Sequence, residues 1–366
     1  MNGARGGTGT EDAARDDRYL AYIGSFTSGG GRGITTAAVD PATGALAPLA
    51  VTATPENPSC LALGPDGRVL YAVSETERGA ALAFRTGSGE LEPLGSPVPV
   101  GACGPTHLST AGGRLLTANY TSGSVSSLPL ADGGGLLGPA AVLVHRGGGP
   151  DPERQEGPHA HQVRPDPSGR WVLSVDLGTD SVRVCAADPD TGELRVHAET
   201  VLRAGSGPRH LAFHPDGDVA YVLHELEPQM TVCRWNAAAG ELEPVSEVPV
   251  APEGAPGAPR AYPSVVAVSP DGRFVWAAVR GTDTLATFSL ADGAEKPQAT
   301  DVTECGGSWP RDLVAEPSGR RLYVANEWSG DVTWFEVDRR TGHPRRAGSV
   351  AVPAAACVVF ARETTR

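Results

Sequence analysis

The 366-residue chain has none of the features that would place it in a membrane or on nucleic acid. No apolar run is long enough for a signal sequence or a membrane span, so we expect a cytoplasmic protein. Its 43 acidic residues outnumber its 30 lysines and arginines, and the net charge is −13. Because nucleic acid and anionic membranes both bind basic faces, neither is expected as a partner. A small anionic substrate would need a local basic pocket.

Closely spaced cysteine pairs are also absent. The six cysteines include no Cys-x-x-Cys pair and are spread along the chain at Cys60, Cys103, Cys185, Cys233, Cys305 and Cys357. This distribution favours reduced thiols in the core over a disulfide framework.

Three motifs that would announce a specific chemistry are missing. The chain has no G-x-S-x-G elbow, no P-loop and no H-E-x-x-H helix. Serine-hydrolase, nucleotide-binding and zincin chemistry therefore lack their usual sequence signatures. We predict neither a cofactor nor a metal.

What the chain does contain is typical of an all-β protein rich in turns. It has 47 glycines and 32 prolines spread throughout, with 40% hydrophobic residues. Residues 1–17 have almost no large apolar side chain, which predicts a disordered tail. Residues 18–366 are predicted to form one domain.

A turn containing Pro-Asp-Gly or Pro-Ser-Gly recurs along this domain. Its final glycines, counting one degenerate Ala-Gly-Gly copy, are Gly67, Gly113, Gly169, Gly217, Gly272 and Gly319. They are 46, 56, 48, 55 and 47 residues apart, a spacing typical of propeller blades. In each repeat a proline opens a short apolar strand, the turn reverses it, and a second strand rich in aromatic and β-branched residues returns.

Four strands per repeat predict a β-propeller of seven blades. Six repeats carry the turn, while YLAYIGSF near the start matches a second strand and PAAACVVFAR near the end matches a first strand. We therefore predict that N- and C-terminal strands share one blade and close the ring, which leaves no unpaired seam. Because a closed propeller needs no partner to cover its edges, we expect a monomer.

Polar residues recur where the blades meet one mouth of the central channel. The residue after the interblade proline is Ser59, Thr106, His159, Arg209, Ser264 or Arg311. Eight residues beyond the turn glycine stand Glu75, Glu225, Arg280 and Glu327. Since equivalent positions of successive blades converge on the channel, these side chains are predicted to form one polar ring.

Several stretches resemble the lactonase family of seven-bladed propellers over residues 19–360. They include PHAHQV, GPRHLAFHPDG, YVLHELE, VRGTDTLATF and WPRDLVAEPSGRRLYVANEWSGDV. The resemblance implies a cluster of one histidine, two arginines and a glutamate. It places them at His159 or His161, Arg209 and Arg280, and Glu225. The chain departs from the family at Val279 and His224, where asparagine is common.

The resemblance implies hydrolysis of a small anionic sugar-acid lactone, 6-phosphogluconolactone above all. Glu225 or a histidine would activate water, while Arg209 and Arg280 would bind the anion and the oxyanion. Further substrate contacts are expected from Asn119, His210, Arg311, Asn326 and Glu327. The two asparagines are also typical of structural hydrogen-bonding residues at strand ends.

Two other functions compatible with the sequence are a muconate-type lactonising enzyme and a non-catalytic binding platform, since a propeller by itself implies no chemistry. The interblade stretch GAPGAPRAYP could add anion contacts that separate the two enzymes. A zinc site would also be open if His107 or His210 approached His159 and His161, which alternation would place on one side of a strand. No carboxylate or cysteine follows at a familiar ligand spacing, so metal is not predicted.

Overall fold

The strands of this chain begin at aromatic and β-branched runs and end at glycine-containing turns. The computed structural model describes residues 18–251 and 259–363, so the predicted tail and the first half of the GAPGAPRAYP stretch lie outside the described residues. In the first half of the chain the strands are β1 (Tyr19–Ser25), β2 (Ile34–Val39), β3 (Leu46–Thr52), β4 (Leu61–Leu63), β5 (Val69–Ser74), β6 (Ala80–Arg85), β7 (Glu92–Pro93), β8 (Val98–Pro99), β9 (Pro105–Ala111), β10 (Arg114–Asn119), β11 (Ser124–Pro129), β12 (Ala141–Val144), β13 (Ala160–Pro165), β14 (Val172–Asp176) and β15 (Ser181–Ala187).

The second half continues the same pattern. Its strands are β16 (Leu194–Val201), β17 (Pro208–Phe213), β18 (Val219–His224), β19 (Gln229–Asn236), β20 (Glu241–Pro249), β21 (Tyr262–Val268), β22 (Phe274–Arg280), β23 (Thr284–Ser289), β24 (Gln298–Glu304), β25 (Pro310–Ala315), β26 (Arg321–Asn326), β27 (Asp331–Val337), β28 (Pro344–Ala351) and β29 (Ala355–Arg362). A short 3₁₀ turn spans Thr27–Gly29. No helix of the described residues is long and apolar enough to cross a membrane.

Seven antiparallel sheets form a closed ring, which confirms the predicted seven-bladed propeller. Blade 1 has the order β29-β1-β2-β3, so the two ends of the chain share it as predicted. Blades 2 to 7 start at β4, β9, β13, β17, β21 and β25. Each first strand contacts the first strands of the neighbouring blades, and together they line the central channel.

Blade 2 departs from the four-strand pattern at its outer edge. There β7 and β8 are two short strands that both pair with β6. Pro97 lies between them and has no N–H to donate to a ladder, and Gly95 has a φ of +99°. The fourth strand of blade 2 is therefore divided into two short pieces, and both pieces pair with the third strand, β6.

The recurring turn has the conformation that its glycine requires. All six turn glycines, including Gly113 of the degenerate copy, adopt a positive φ between 67° and 84°. Only glycine takes up this left-handed conformation without a steric penalty. The repeated turns are thus scaffold, and they lie on one side of the ring.

The hydrophobic core lies between the blades. Seven clusters of buried residues each join two adjacent sheets. In most blades a buried aromatic residue of the second strand, or just before it, bonds to a backbone carbonyl of the next blade; the pairs are Tyr22–Gly87, Tyr71–Gly134, Trp171–Ala237, Tyr221–Ala294, Trp276–Gly342 and Tyr323–Gly44. Each ring fills space between sheets while its polar atom is satisfied.

All six cysteines are free thiols, in agreement with the sequence. Four of them are buried, but Cys60 and Cys103 are only partly buried. The expectation that all six lie in the core is therefore wrong for these two. Cys60 faces the channel, and Cys103 lies in the connection between blades 2 and 3.

Ring closure by β29 is open to a direct test. A chain that ends at Ala354 loses the strand pairing of β1 and the buried side chains of Cys357 and Val358. We expect its Tm to fall by more than about 10 °C in thermal denaturation, because several kcal/mol of packing and pairing are lost. The matched control lacks residues 1–17 and is expected to melt like the full chain. Equal melting of the two truncated chains would contradict closure by β29.

Candidate active site

A β-bulge at one repeated position turns side chains toward the channel mouth. In six of the seven first strands the pairing register shifts by one residue, and the unpaired residues are Ala356, Thr106, His161, Arg209, Ser264 and Arg311. In blade 2, β4 begins two residues after Ser59, which occupies the corresponding place. A bulge leaves one residue out of the ladder and redirects its side chain, and bulges are frequent beside active sites.

The bulge separates the two histidines that alternation would place together. His161 is the bulge residue of β13 and lines the channel with Arg209 and Arg311. His159 precedes β13; its Nδ1 lies 3.0 Å from the carbonyl oxygen of Tyr120, and its ring stacks on the Tyr120 ring. His161, not His159, is therefore the counterpart of Arg209 and Arg311. The alternation argument for a shared side is wrong because the bulge interrupts it.

Glu225 is the centre of the charged cluster. It follows β18 directly, it is buried, and its two oxygens contact three guanidinium groups. Its Oε2 lies 2.9 Å from Nε of Arg209 and 2.7 Å from Nη2 of Arg280. Its Oε1 accepts a hydrogen bond of 2.5 Å from Nη2 of Arg154. One carboxylate thus holds together side chains from three separate parts of the ring.

The electrostatics of this cluster fix the charge of Glu225. Burial alone would raise the pKa of the Glu225 carboxyl, but Arg280, Arg209 and Arg154 outweigh burial and hold that pKa well below its ordinary value. Burial, together with the charge of Arg280, lowers the pKa of Arg209 to about 9, which still leaves the guanidinium charged at neutral pH. The cluster is ionised throughout.

Arg209 and Arg280 are also held by backbone carbonyls. Arg209 donates from Nη1 to the carbonyl of Ser264, and Arg280 donates from Nε to the carbonyl of Tyr262 at 3.2 Å. The Arg280 guanidinium lies 5.3 Å from the ring centre of Trp309, which stacks on Trp328. Both guanidinium groups are therefore fixed before any ligand arrives.

Three histidines stand side by side below the charged cluster. The ring centres of His107 and His210 are 5.5 Å apart, as are those of His161 and His210, and all three rings line a channel cavity of about 500 Å³. A volume of this size suits a small ligand. Nδ1 of both His107 and His161 is buried without a hydrogen-bond partner among the described residues.

The same three histidines are neutral at physiological pH. Burial, then the charges of Arg164 and Arg209, lower the pKa of His107 to about 3. Burial first and Arg209 second also hold the pKa values of His161 and His210 well below the ordinary range. A neutral imidazole has a free lone pair, so each ring can accept a proton or a hydrogen bond.

A second pair of blades carries weaker charge contacts. Arg311 lies 3.3 Å from Glu327, and both side chains are partly exposed. In blade 2 the Ser59 hydroxyl donates to the Glu75 carboxylate. Burial raises the pKa of Glu75, although Arg311 and Ser59 oppose the shift. Equivalent glutamates thus differ in their affinity for protons.

The structure does not bring Asn119 and Asn326 into this site. Both side chains are fully buried inside their own blades, where Asn119 donates to Ser124 and Ser126 and Asn326 donates to Asp331 and Thr333. Each is the last residue of the second strand of its blade, and the next residue along the chain occupies the position of the polar ring at the channel mouth. These positions do not support the expected substrate contact from the two asparagines and favour a structural role for both.

Two residues of the site were not identified from the sequence. Arg154 lies in the connection between blades 3 and 4, and Tyr120 stands at the place that Glu225 occupies in its own blade. Counting eight residues from a turn glycine is the signal that finds Glu225, but the degenerate turn around Gly113 hides Tyr120. Arg154 has no repeat equivalent and gives no signal at all.

Metal binding finds no support in these groups. Across residues 18–251 and 259–363, no set of three or more histidine, cysteine, aspartate or glutamate side chains is arranged to hold a metal ion. The zinc alternative required His107 or His210 to lie near His161. The ring centres of His161 and His210 are indeed 5.5 Å apart.

Replacement of Glu225 by glutamine tests the cluster. The Glu225→Gln variant leaves Arg209 and Arg280 buried without a counter-charge, and we expect it to lose about 3–5 kcal/mol of unfolding free energy at pH 7. Because the pKa of Glu225 is lowered by folding, its stabilisation is fully present above the unfolded value near pH 4.3 and is lost as pH falls below it. The difference from wild type in urea denaturation should shrink below about pH 4.

The matched control for this variant is Glu327→Gln. Glu327 occupies the equivalent position, but its pair with Arg311 is partly exposed, so a loss of about 1 kcal/mol or less is expected. If the two variants lose the same free energy at pH 7, the central role of Glu225 is refuted.

Comparison with known proteins agrees with the fold. The family model described as "Lactonase, 7-bladed beta-propeller" matches residues 20–360. The 6-phosphogluconolactonase of Bacillus subtilis is 33% identical over 349 residues, which cover 94% of this chain and 98% of that protein. The resemblance identified from the sequence is thereby confirmed.

Solved structures give the same result. The periplasmic gluconolactonase of Pseudomonas aeruginosa superposes with a TM-score of 0.87 and 31% identity, covering 94% of this chain and 99% of that one. A protein from Lactobacillus plantarum gives a TM-score of 0.86 and 27% identity, with 94% and 99% covered. The chain belongs to the lactonase family of seven-bladed β-propellers.

Proposed function

We propose that the protein hydrolyses the lactone of a sugar acid and that its substrate is 6-phosphogluconolactone. The observation that supports this most strongly is a channel cavity in which the neutral ring of His161 lies with the guanidinium groups of Arg209 and Arg311. A related protein carries the name 6-phosphogluconolactonase, and another is named a gluconolactonase. Hydrolysis of such a lactone by a cytoplasmic monomer is part of the same proposal.

His161 is the group that we assign as general base. Of the candidates from the sequence, Glu225 is less suited because three arginines stabilise its ionised form and hold its pKa well below the ordinary value. Its oxygens are also already occupied by guanidinium groups. His161 is neutral, lines the cavity and has an unpartnered Nδ1, so it is in the protonation state that a base requires.

The hydrolysis follows from these roles. His161 takes a proton from water as the water oxygen bonds to the lactone carbonyl carbon, and the carbonyl becomes a tetrahedral oxyanion. Collapse of that intermediate re-forms the carbonyl and breaks the bond to the ring oxygen. The ring oxygen leaves as a hydroxyl with the proton returned by His161, and the product is an open-chain carboxylic acid, which becomes a carboxylate when its remaining proton is released to solvent.

Arg209 is placed to stabilise the oxyanion. It lines the cavity, and its Nη2 makes no hydrogen bond to the residues that the structure describes, whereas Nη1 donates to the carbonyl of Ser264 and Nε lies 2.9 Å from Oε2 of Glu225. A donor that is fixed before the reaction stabilises developing charge without a reorganisation cost. Arg280 contacts the same Glu225 oxygen, Oε2, and so helps to position the carboxylate beside Arg209. His210 and Arg311, which also line the cavity, are assigned to substrate contacts.

Replacement of His161 by glutamine tests the base. We expect His161→Gln to lower kcat for the lactone by about 10²–10⁴-fold, after spontaneous hydrolysis is subtracted. The control is His159→Gln, which removes a buried imidazole two residues away that does not line the cavity. Its kcat should stay within a few-fold of wild type. A larger loss in His159→Gln than in His161→Gln would reverse the assignment.

The pH profile gives a second check on His161. A general base is active when deprotonated, and folding lowers the pKa of this imidazole below its ordinary value near 6.5. The acid limb of kcat/KM should therefore lie below pH 6.5, and the rate should remain flat through that pH. A midpoint at or above pH 6.5 would exclude the buried His161 as the base.

The substrate is tested with purified wild-type protein and three lactones. We expect turnover of 6-phosphogluconolactone to exceed that of unphosphorylated gluconolactone and of a muconolactone, and to be unchanged by EDTA. Turnover of the muconolactone alone would favour a lactonising enzyme. No turnover of any of the three would favour a binding platform.

A further inference from the structure

Arg154 reaches the active site from outside the repeated blade pattern. It lies in the connection between β12 and β13, and this connection is tightly held. The buried Gln155 donates from Nε2 to the carbonyl of Leu177 and to the carboxylate of Asp180, both at 2.8 Å. The Asp151 carboxylate accepts from the backbone N–H groups of Glu153 and Arg154. The backbone that carries Arg154 is therefore fixed.

The side chain of Arg154 differs from those of Arg209 and Arg280 in its access to solvent. It is 35% exposed, whereas the other two are 3% and 7% exposed. Its Nη2 donates to Glu225 and lies 3.4 Å from the hydroxyl of Tyr120. Its Nε and Nη1 make no hydrogen bond to any described residue. Among the three guanidiniums on Glu225, Arg154 alone combines exposure with donors on two free nitrogens.

The charge balance of the cluster points the same way. Three guanidinium groups share one carboxylate, so the four side chains together carry a net charge of +2. The exposed carboxylate of Glu156 lies 3.3 Å from Nε2 of His159, and the Asp151 carboxylate accepts from backbone N–H groups. An anion at the mouth would complete the balance, and guanidinium N–H groups form strong charge-assisted bonds to phosphate.

We infer that Arg154 binds the phosphate of the substrate and makes the site selective for phosphorylated lactones. The inference rests on the proposed function and deepens it. Arg209 stabilises the oxyanion inside the cavity, and Arg154, which is partly exposed on a fixed loop and joined to Arg209 through Glu225, contacts the far end of the same substrate. Glu225 positions both guanidiniums through its two oxygens. Specificity and catalysis then depend on different arginines of one cluster.

Binding of the product tests the inference without relying on turnover. Isothermal titration of wild type, Arg154→Ala and Arg154→Lys with 6-phosphogluconate and with gluconate is the experiment. We expect Arg154→Ala to weaken 6-phosphogluconate about 10- to 100-fold and to leave gluconate within two-fold. Arg154→Lys should recover part of the loss. Glu225 keeps Arg209 and Arg280 in the alanine variant, so folding is retained.

The matched control is Arg203→Ala. Arg203 also forms an ion pair with a glutamate, Glu227, at 2.5 Å and is 44% exposed, but it does not contact Glu225. Its variant should bind both ligands as wild type does. An equal loss of both ligands in Arg154→Ala, or no loss of either, would overturn the inference, as would failure of wild type to bind 6-phosphogluconate.

Kinetics separate failure of this inference from failure of the proposed function. If wild type turns over 6-phosphogluconolactone and Arg154→Ala has the same KM, only the role of Arg154 is refuted. If wild type hydrolyses no lactone but Arg154→Ala loses 6-phosphogluconate binding, the hydrolase assignment is refuted and the phosphate contact stands. A rise in KM of about 10- to 100-fold for the phosphorylated lactone alone supports both.

Discussion

The ion cluster around Glu225 organises the channel mouth, since it joins three parts of the chain that the sheet hydrogen bonds do not connect. Arg209 belongs to blade 5, Arg280 to blade 6 and Arg154 to the connection between blades 3 and 4. A buried carboxylate is costly unless it is paired and bonded on each oxygen, and here both oxygens are occupied. The charges therefore hold one another in place, and the positions available to a substrate are set before it binds.

The propeller allows this cluster to form without disturbing the scaffold. Packing between blades and the aromatic bonds to the next blade stabilise the ring, while the repeated turns lie on the opposite side from the site. The bulge then turns one residue per blade into the channel without breaking the pairing on either side of it. Changes at these positions alter the chemistry of the mouth and leave the ladder hydrogen bonds intact.

The blades and the polar residues at the channel mouth were predictable from the sequence where they recur at a constant spacing. The distance between turn glycines yields six repeats, the matching terminal strands add the seventh blade, and counting from the same glycines finds Glu225 and Arg280. Counting from the interblade proline finds Arg209 and Arg311 but selects His159 in blade 4. There Ala160 occupies the place of the proline, so the bulge residue is His161, two positions further along.

The remaining errors have equally local causes. Asn119 and Asn326 stand one residue before the ring position, and one residue along a strand reverses the direction of the side chain. Arg154 contacts Glu225 across 71 residues of sequence from an irregular connection, so no periodic pattern could reveal it. A bulge or a loop contact depends on tertiary packing, which a spacing argument does not contain.

The glutamates at the ring position show how one residue per blade tunes the site. Glu75, Glu225 and Glu327 are the same residue type at equivalent positions. Glu225 and Glu327 pair with the bulge residues Arg209 and Arg311 of their own blades, and Glu75 pairs with Ser59, which occupies the corresponding place in blade 2. With an arginine and two further guanidiniums, the carboxyl of Glu225 has a lowered pKa; with a serine, burial prevails and the pKa of Glu75 is raised. When two groups of the same type have different environments, their pKa values differ, and the two groups can then have different chemical roles. Since the bulge residue decides the partner, it also decides which of these carboxylates can hold an arginine and which can carry a proton.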